Sequence, residues 1–206
     1  MKIDIKRSFT FYEQMATRRS IREFTNEPVD ESVLLNAIKT AATAPSGANK
    51  QPWHFALVQN PEIKKKIRTA AEAVESDFYQ RRAPRQWLED LKPFATDANK
   101  AYLTEASSLV IVFTRTHTKD EQGRMQKTYY PLESTGIAVG LLIASLHQSG
   151  LATLTHTPKP MGFLNELLGF DKTYKPYMII VAGHAKLPTQ LPEIKKKETR
   201  QIMSLH

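Results

Sequence analysis

The chain has 206 residues, 41% of them hydrophobic and 24% charged, with a formal net charge of +8. That is long enough for one domain with a sizeable core and too apolar for a disordered chain. It contains no cysteine, which excludes disulfides, a thiolate nucleophile and a cysteine metal site, and suits a reducing compartment.

No apolar run is long enough to span a bilayer. The opening stretch MKIDIKRSFTFYEQMATRRS lacks the apolar core of an export signal, so a cytoplasmic location with no membrane partner is expected. The positive charge would attract nucleic acid, an acidic membrane or a phosphorylated cofactor. Acidic residues are mixed through most basic stretches, and dense basic clusters occur only near the start and at 195–197. A nucleic-acid platform is therefore not expected. A non-enzymatic binding module for an anionic polymer is a separate class, motivated only by net charge.

In chain order, residues 9–17 read as a short helix leading into RRSIR. NEPVDESVLLNAIKTAATA is a helix capped by Asp30, with Val33, Leu34, Ala37, Ile38 and Ala41 at helical spacing. Pro45, Ser46 and Gly47 break it. WHFALVQ reads as the first buried strand, followed by a turn at NPE and a helix over 61–75. The charged segment 75–100 reads as helix, a break at Pro84, a second short helix and a connecting stretch. SSLVIVFTR (107–115) is a continuous apolar run expected to be a central strand, and TKDEQGRMQ a loop. LESTGIAVGLLIASLHQSG is a helix apolar nearly all round, to be covered either by a second subunit or by its own monomer. LATLTHT is a strand, MGFLNELLGF a short helix and YMIIVAG the last strand; the tail from about 186 to 206 reads as an arm. One domain over 1–206 is expected, of helix-rich α+β or α/β class.

Three features stand out. Arg18, Arg19 and Arg22 are close enough in sequence to surround one phosphate, for which planar guanidinium forks are suited; a solvated face is the ordinary alternative. No GxGxxG or phosphate-binding Walker loop is present. PSGANKQPW offers free backbone N–H groups beside a Trp, either to edge a flat ring or to turn the chain. Glu75 and Tyr79 are spaced i,i+4 and share a helix face, with Lys100 beyond the break. His117, His147 and His184 are too scattered to argue for a metal, and no metal is expected.

RRSIREF followed by a helix and TAPSGANKQPWHF resembles the nitroreductase and flavin reductase superfamily. The KIR…E…FY…W…DLK segment, KTYY at 127–130 and TLTHTP at 153–158 resemble, more narrowly, its iodotyrosine deiodinase branch. The resemblance runs from about residue 15 to 203. It implies an α+β nitroreductase-like fold, a central mostly antiparallel sheet flanked by helices, built as an intertwined homodimer with FMN in a groove between subunits. Arg18, Arg19, Ser20, Ile21 and Arg22 would hold the phosphate and ribityl chain; Pro45, Ser46 and Gly47 would line the flavin from its other side. Thr155, His156 and Thr157 would face the isoalloxazine, and Lys196 would stand for a family arginine at the phosphate.

The resemblance further implies a lid over about 75–100 in which Glu75 takes the ammonium of an amino acid while Tyr79 and Lys100 take its carboxylate. The backbone N–H of Ala48 would meet the phenolate of a bound 3-halotyrosine. The Thr157 hydroxyl, at the flavin N5 position, would favour one-electron steps. The implied activity is FMN-dependent reductive dehalogenation giving tyrosine and halide, with a reduced nicotinamide or another flavin reductant as partner. The alternative is a broad NAD(P)H-dependent nitroreductase or flavin reductase acting on nitroaromatics or quinones. It predicts little dependence on Glu75.

Overall fold

The computed structural model describes residues 2–206. Helix α1 (Ile5–Thr17) starts behind Asp4, whose carboxylate accepts a hydrogen bond from the Arg7 amide at 3.0 Å. It begins earlier than position 9, with Ile5, Phe9 and Tyr12 at helical spacing on one exposed apolar stripe. Residues 20–25 then run extended. Ser20 bridges Thr153 in parallel, the Ile21 amide donates to the Thr153 carbonyl at 3.0 Å, and Phe24 pairs with Ala185.

Helix α2 (Glu31–Ala42) begins at Asp30, whose side chain accepts from the Ser32 amide at 2.8 Å. Strand β1 (Trp53–Val58) follows, then α3 (Pro61–Asp77), capped by the Asn60 side chain on the Glu62 and Ile63 amides. A π-helical turn spans Phe78–Arg82, α4 covers Arg85–Leu91, a 3-10 turn covers Lys92–Phe94, and α5 is the short helix Tyr102–Glu105. The expected break at Pro84 lies between the π turn and α4, where proline cannot donate into a continuing helix.

Strand β2 (Ser108–Arg115) is the central apolar run. The expected loop at 118–126 is instead a small hairpin of β3 (His117–Lys119) and β4 (Met125–Lys127). Its strands are three residues each, too short for alternation to show. Asp120 shapes the turn by accepting from the Gln122 and Arg124 amides, and Gly123 supplies a φ of 76°.

Helix α6 (Pro131–Gln148), strand β5 (Ala152–His156), helix α7 (Phe163–Leu168) and strand β6 (Tyr174–Gly183) complete the body. The sheet order is β1-β2-β6-β5 with every pair antiparallel. β6 starts three residues before the expected YMIIVAG; Pro176 sits opposite Phe113, where the β2–β6 register shifts. A bulge is one of the places where a sheet tolerates proline.

Both sheet faces are covered. Leu109, Ile111, Phe113, Ile179 and Val181 pack with α3, α5 and α7 residues such as Ile67, Leu103 and Leu164. Val110, Val112, Ile180 and Ala182 pack with Leu34 and Ala37 of α2 and Leu142 and Leu146 of α6. Packing on both faces makes β2 apolar at every position from Leu109 to Phe113. Gly183 is tight against the chain, since an added Cβ would lie 3.2 Å from the Ser107 amide nitrogen.

α6 is not wholly enclosed by its own chain. Ser134, Thr135, Ala138, Val139, Leu142 and Leu146 are buried, whereas Leu132 and Ile137 are exposed. Phe9 and Tyr12 of α1 are likewise exposed apolar side chains. Among the described residues no helix is long and apolar enough to cross a membrane.

Candidate functional site

A cleft of about 500 Å³ lies between α3, the π turn and α4 on one side and the end of β5 on the other. Pockets of roughly 300–1,000 Å³ accommodate small organic ligands. Its walls bring together Glu75, Tyr79, Lys100, Arg22, Thr155, His156 and Thr157. These come from four separate stretches of chain. A second cleft of about 320 Å³ adjoins it and shares Arg22, Thr96 and Tyr102 with the first.

Lys100 is the best-buried charge in the first cleft. Its Nζ stands 3.2 Å from Glu75 Oε2, with side-chain exposures of only 3% and 15%. It also donates to the Asp97 carbonyl and, at 3.4 Å, to Thr96 Oγ1, and it lies 5.3 Å from the centroid of the Tyr79 ring. Its backbone is fixed too. The Lys100 amide donates to Glu72 Oε1 at 2.8 Å, and that oxygen accepts from Arg68 Nε at 2.7 Å. Thus α3 holds both the backbone and the side chain of Lys100, through carboxylates one helical turn apart.

Burial raises the Tyr79 phenol above its ordinary value, with a Thr96 hydrogen bond acting against it. Behind it, Tyr102 Oη lies 3.2 Å from His156 Nδ1. Burial pushes the Tyr102 phenol well up, so it stays protonated. His156 is depressed to about 3, by burial first and then by the charge of Lys100. Its ring is neutral, and its Nε2 has no hydrogen-bond partner among the described residues. The position of Tyr102 is set by α5, whose closing carbonyl at Ala106 accepts from Lys64 Nζ at 2.6 Å.

The arginine cluster is divided by the fold. Arg18 ends α1, and the Arg19 guanidinium donates to the Pro192 carbonyl of the tail. Ser20 and Arg22 line the second cleft, while Ile21 packs into the core between them. Extended backbone sends alternate side chains to opposite faces. Arg22 reaches both clefts and stands 5.6 Å over the Phe94 ring.

Pro45, Ser46, Gly47 and Ala48 line neither cleft of their own chain, and neither does Lys196 in the exposed tail. The loop is nonetheless tightly specified. Ala48, Asn49 and Gln51 have φ of 49°, 53° and 45°, a conformation that costs a non-glycine residue roughly 1–2 kcal/mol. Ser46 Oγ accepts from the Gln51 amide at 2.9 Å. Gly47 pairs with Tyr129, and an added Cβ would fall 2.8 Å from Tyr129 Cβ.

Several participants escaped the sequence. Glu72, Thr96 and Tyr102 had no motif to mark them. Arg82, whose context suggests a solvated face, lines the first cleft. His54 packs against Phe170 and Tyr174 at 5.1 and 5.2 Å. Among the described residues no cluster of His, Asp and Glu is placed to hold a metal ion.

Two outcomes test this geometry. Gly47→Ala should destabilise the chain by about 1–3 kcal/mol in urea unfolding, because the Tyr129 backbone must yield. The His156 pKa sets the sign of a pH effect. Below the ordinary 6.5 the unfolded chain takes up a proton that the folded chain refuses until about 3, so stability falls with acid across that window. Between about pH 6 and about pH 5 the native chain should lose about 1 kcal/mol more than His156→Thr.

The sequence profile of the Nitroreductase family matches residues 15–184. An iodotyrosine deiodinase from Haliscomenobacter hydrossis is 41% identical over 202 residues, covering 98% of this chain and 91% of that protein. Iodotyrosine deiodinase 1 from Homo sapiens is 40% identical over 200 residues, covering 97% and 69%. A crystal structure of oxidised iodotyrosine deiodinase bound to FMN and 3-iodo-L-tyrosine superposes with a TM-score of 0.81 at 26% identity, covering 91% of this chain and 96% of that one. With a central antiparallel sheet of the same fold and two-fifths of its residues shared with such relatives, the chain belongs to the nitroreductase family, closely related to the bacterial iodotyrosine deiodinases.

Proposed function

We propose that this protein catalyses FMN-dependent reductive dehalogenation of 3-halotyrosines, with iodotyrosine as the type substrate. The observation that carries the reading is the buried Glu75–Lys100 pair beside Tyr79, facing Arg22 and Thr155–Thr157 across one cleft. A carboxylate, a phenol and an ammonium are the groups that grip both charged ends of an amino acid. A flat nitroaromatic or quinone would use none of them.

The residues of the cleft fit a phosphorylated flavin. Arg22 supplies a guanidinium group, and the exposed Thr155 and Thr157 present hydroxyls at the rim of the cleft, while Arg18 and Arg19 line neither cleft of their own chain. FMN when bound supplies the two electrons that, with one proton, replace the carbon–halogen bond by carbon–hydrogen and release halide. The protein binds, orients and covers. Glu75 would accept the substrate ammonium, while Lys100 and Tyr79 would donate to its carboxylate. The raised phenol of Tyr79 keeps its proton for that bond. Thr157 would offer its hydroxyl to the flavin, and the Ala48 amide would meet the substrate phenolate. Glu75 and Lys100 stand 3.2 Å apart; a zwitterion would offer each of them an opposite charge, whereas a singly charged ligand would pair with only one.

The same reading takes the assembly to be an intertwined homodimer in which Pro45–Ala48 and Lys196 complete the site of the partner. Three facts support it. Those residues line neither cleft in their own chain, α1 buries no residue, and Tyr12 and Ile137 are 66% and 48% exposed. Apolar surface of this kind marks a contact site.

Reduced holoenzyme mixed with 3-iodotyrosine should release iodide faster than free FMN does; equality with free FMN would refute the activity. Glu75→Gln should weaken iodotyrosine quenching of flavin fluorescence by at least about tenfold, since a hydrogen bond between charged groups is lost from a buried site. Light scattering should report twice the chain mass, and a monomer carrying a full complement of tightly bound FMN would remove the shared-site reading.

A further inference from the structure

The clasp segment is tied to the loop beyond Thr157 by one side chain. Arg82 closes the π turn. Its Nη1 and Nη2 each lie 3.2 Å from the Lys159 carbonyl, and Nη2 also donates to the Val74 carbonyl at 3.1 Å. Its Nε is 2.6 Å from Asp77 Oδ2, and its guanidinium carbon is 5.8 Å from the centre of the Phe78 ring. One planar group therefore bridges the end of α3 and the β5–α7 connection. Lys159 lies two residues past Thr157, and Asp77 two residues past Glu75.

A π turn is rare, and its widened hydrogen bonds are often found where function requires them. Here the Ala83 amide reaches back to the Phe78 carbonyl at 2.8 Å. The turn carries Tyr79 in its wall and Phe78 against Trp87 at 5.1 Å. The Val74 carbonyl lies just before Glu75. An arginine held there fixes the two clasp residues relative to the hydroxyls of Thr155 and Thr157. A lysine at 82 would keep the charge but not the fork that serves three acceptors.

We propose that Arg82 is a positioning residue that locks Glu75 and Tyr79 over the Thr155–Thr157 stretch, so that substrate affinity depends on it. The role of the lock in affinity rests on the reading of the cleft as an amino-acid site; the lock itself does not.

The test uses FMN-loaded wild type, Arg82→Lys and Arg82→Ala. Without substrate, amide hydrogen exchange over 78–91 should be at least about tenfold faster in Arg82→Ala, with Arg82→Lys between, because the local opening loses its tie. With 3-iodotyrosine, KM should rise about tenfold in Arg82→Ala while kcat stays within about threefold, the pattern of lost ground-state binding. Exchange equal to wild type in both variants overturns the lock, whatever the substrate. Faster exchange with an unchanged KM overturns its role in affinity. Faster exchange in a protein whose wild type releases no iodide keeps the lock and refutes the substrate reading instead. Should Arg82→Ala not fold, Arg82→Lys carries both measurements.

Discussion

The site depends on keeping one ammonium out of water. Lys100 is nearly fully buried, and a buried charge of this kind persists only when paired and hydrogen-bonded. Glu75, the Asp97 carbonyl and Thr96 meet its head, while Glu72 holds its amide. Two carboxylates three residues apart on α3 thus bind a residue more than twenty positions downstream. The chain between them folds into the π turn, α4 and the bend that make one wall of the cleft. Removing Glu75 would leave Lys100 buried beside neutral groups, which is why this pair organises the wall as well as the proposed recognition.

The opposite wall is a product of the sheet edge. Because residues 20–25 add to β5 and to the end of β6, Arg22 is carried next to Thr155 and Thr157 although it lies far from them in sequence. The antiparallel sheet makes this rigid, with both faces packed under helices. Rigid strands on one side and a locally held helix–turn segment on the other are the arrangement by which a scaffold covers a reacting group. His156 and Tyr102 join the two walls beneath the cleft by a neutral hydrogen bond. Their neutrality suits a floor that already lies under the charge of Lys100.

Local chemistry made much of this legible. The Asp30 cap, the apolar run of β2 and the helix after Pro61 are signalled by neighbours in sequence, and their physics is local. Glu75 and Tyr79 were expected on one helix face; they meet in the cleft, but α3 ends at Asp77 and Tyr79 stands in the π turn, while the motifs around Ser20 and Gly47 carried the family. Polar short strands were not readable: the β3–β4 hairpin depends on Asp120 contacts that follow from the turn itself. The role of Arg82 was hidden for another reason. Three arginines within five residues at 81–85 look alike until their neighbours across the cleft are known.

The sequence by itself determined the longer elements, the family and the inventory of charged and hydroxyl groups, because capping, periodicity and motif spacing act over a few residues. Tertiary structure alone decided which members of that inventory meet. It placed Arg22 between the two clefts while Arg18 closes α1 and Arg19 turns to the Pro192 carbonyl, buried Lys100 against Glu75, and left Pro45–Ala48 away from their own cleft. Those outcomes come from long-range packing, in which the cost of burying a charge or an apolar face is met by whichever partner the whole fold brings near.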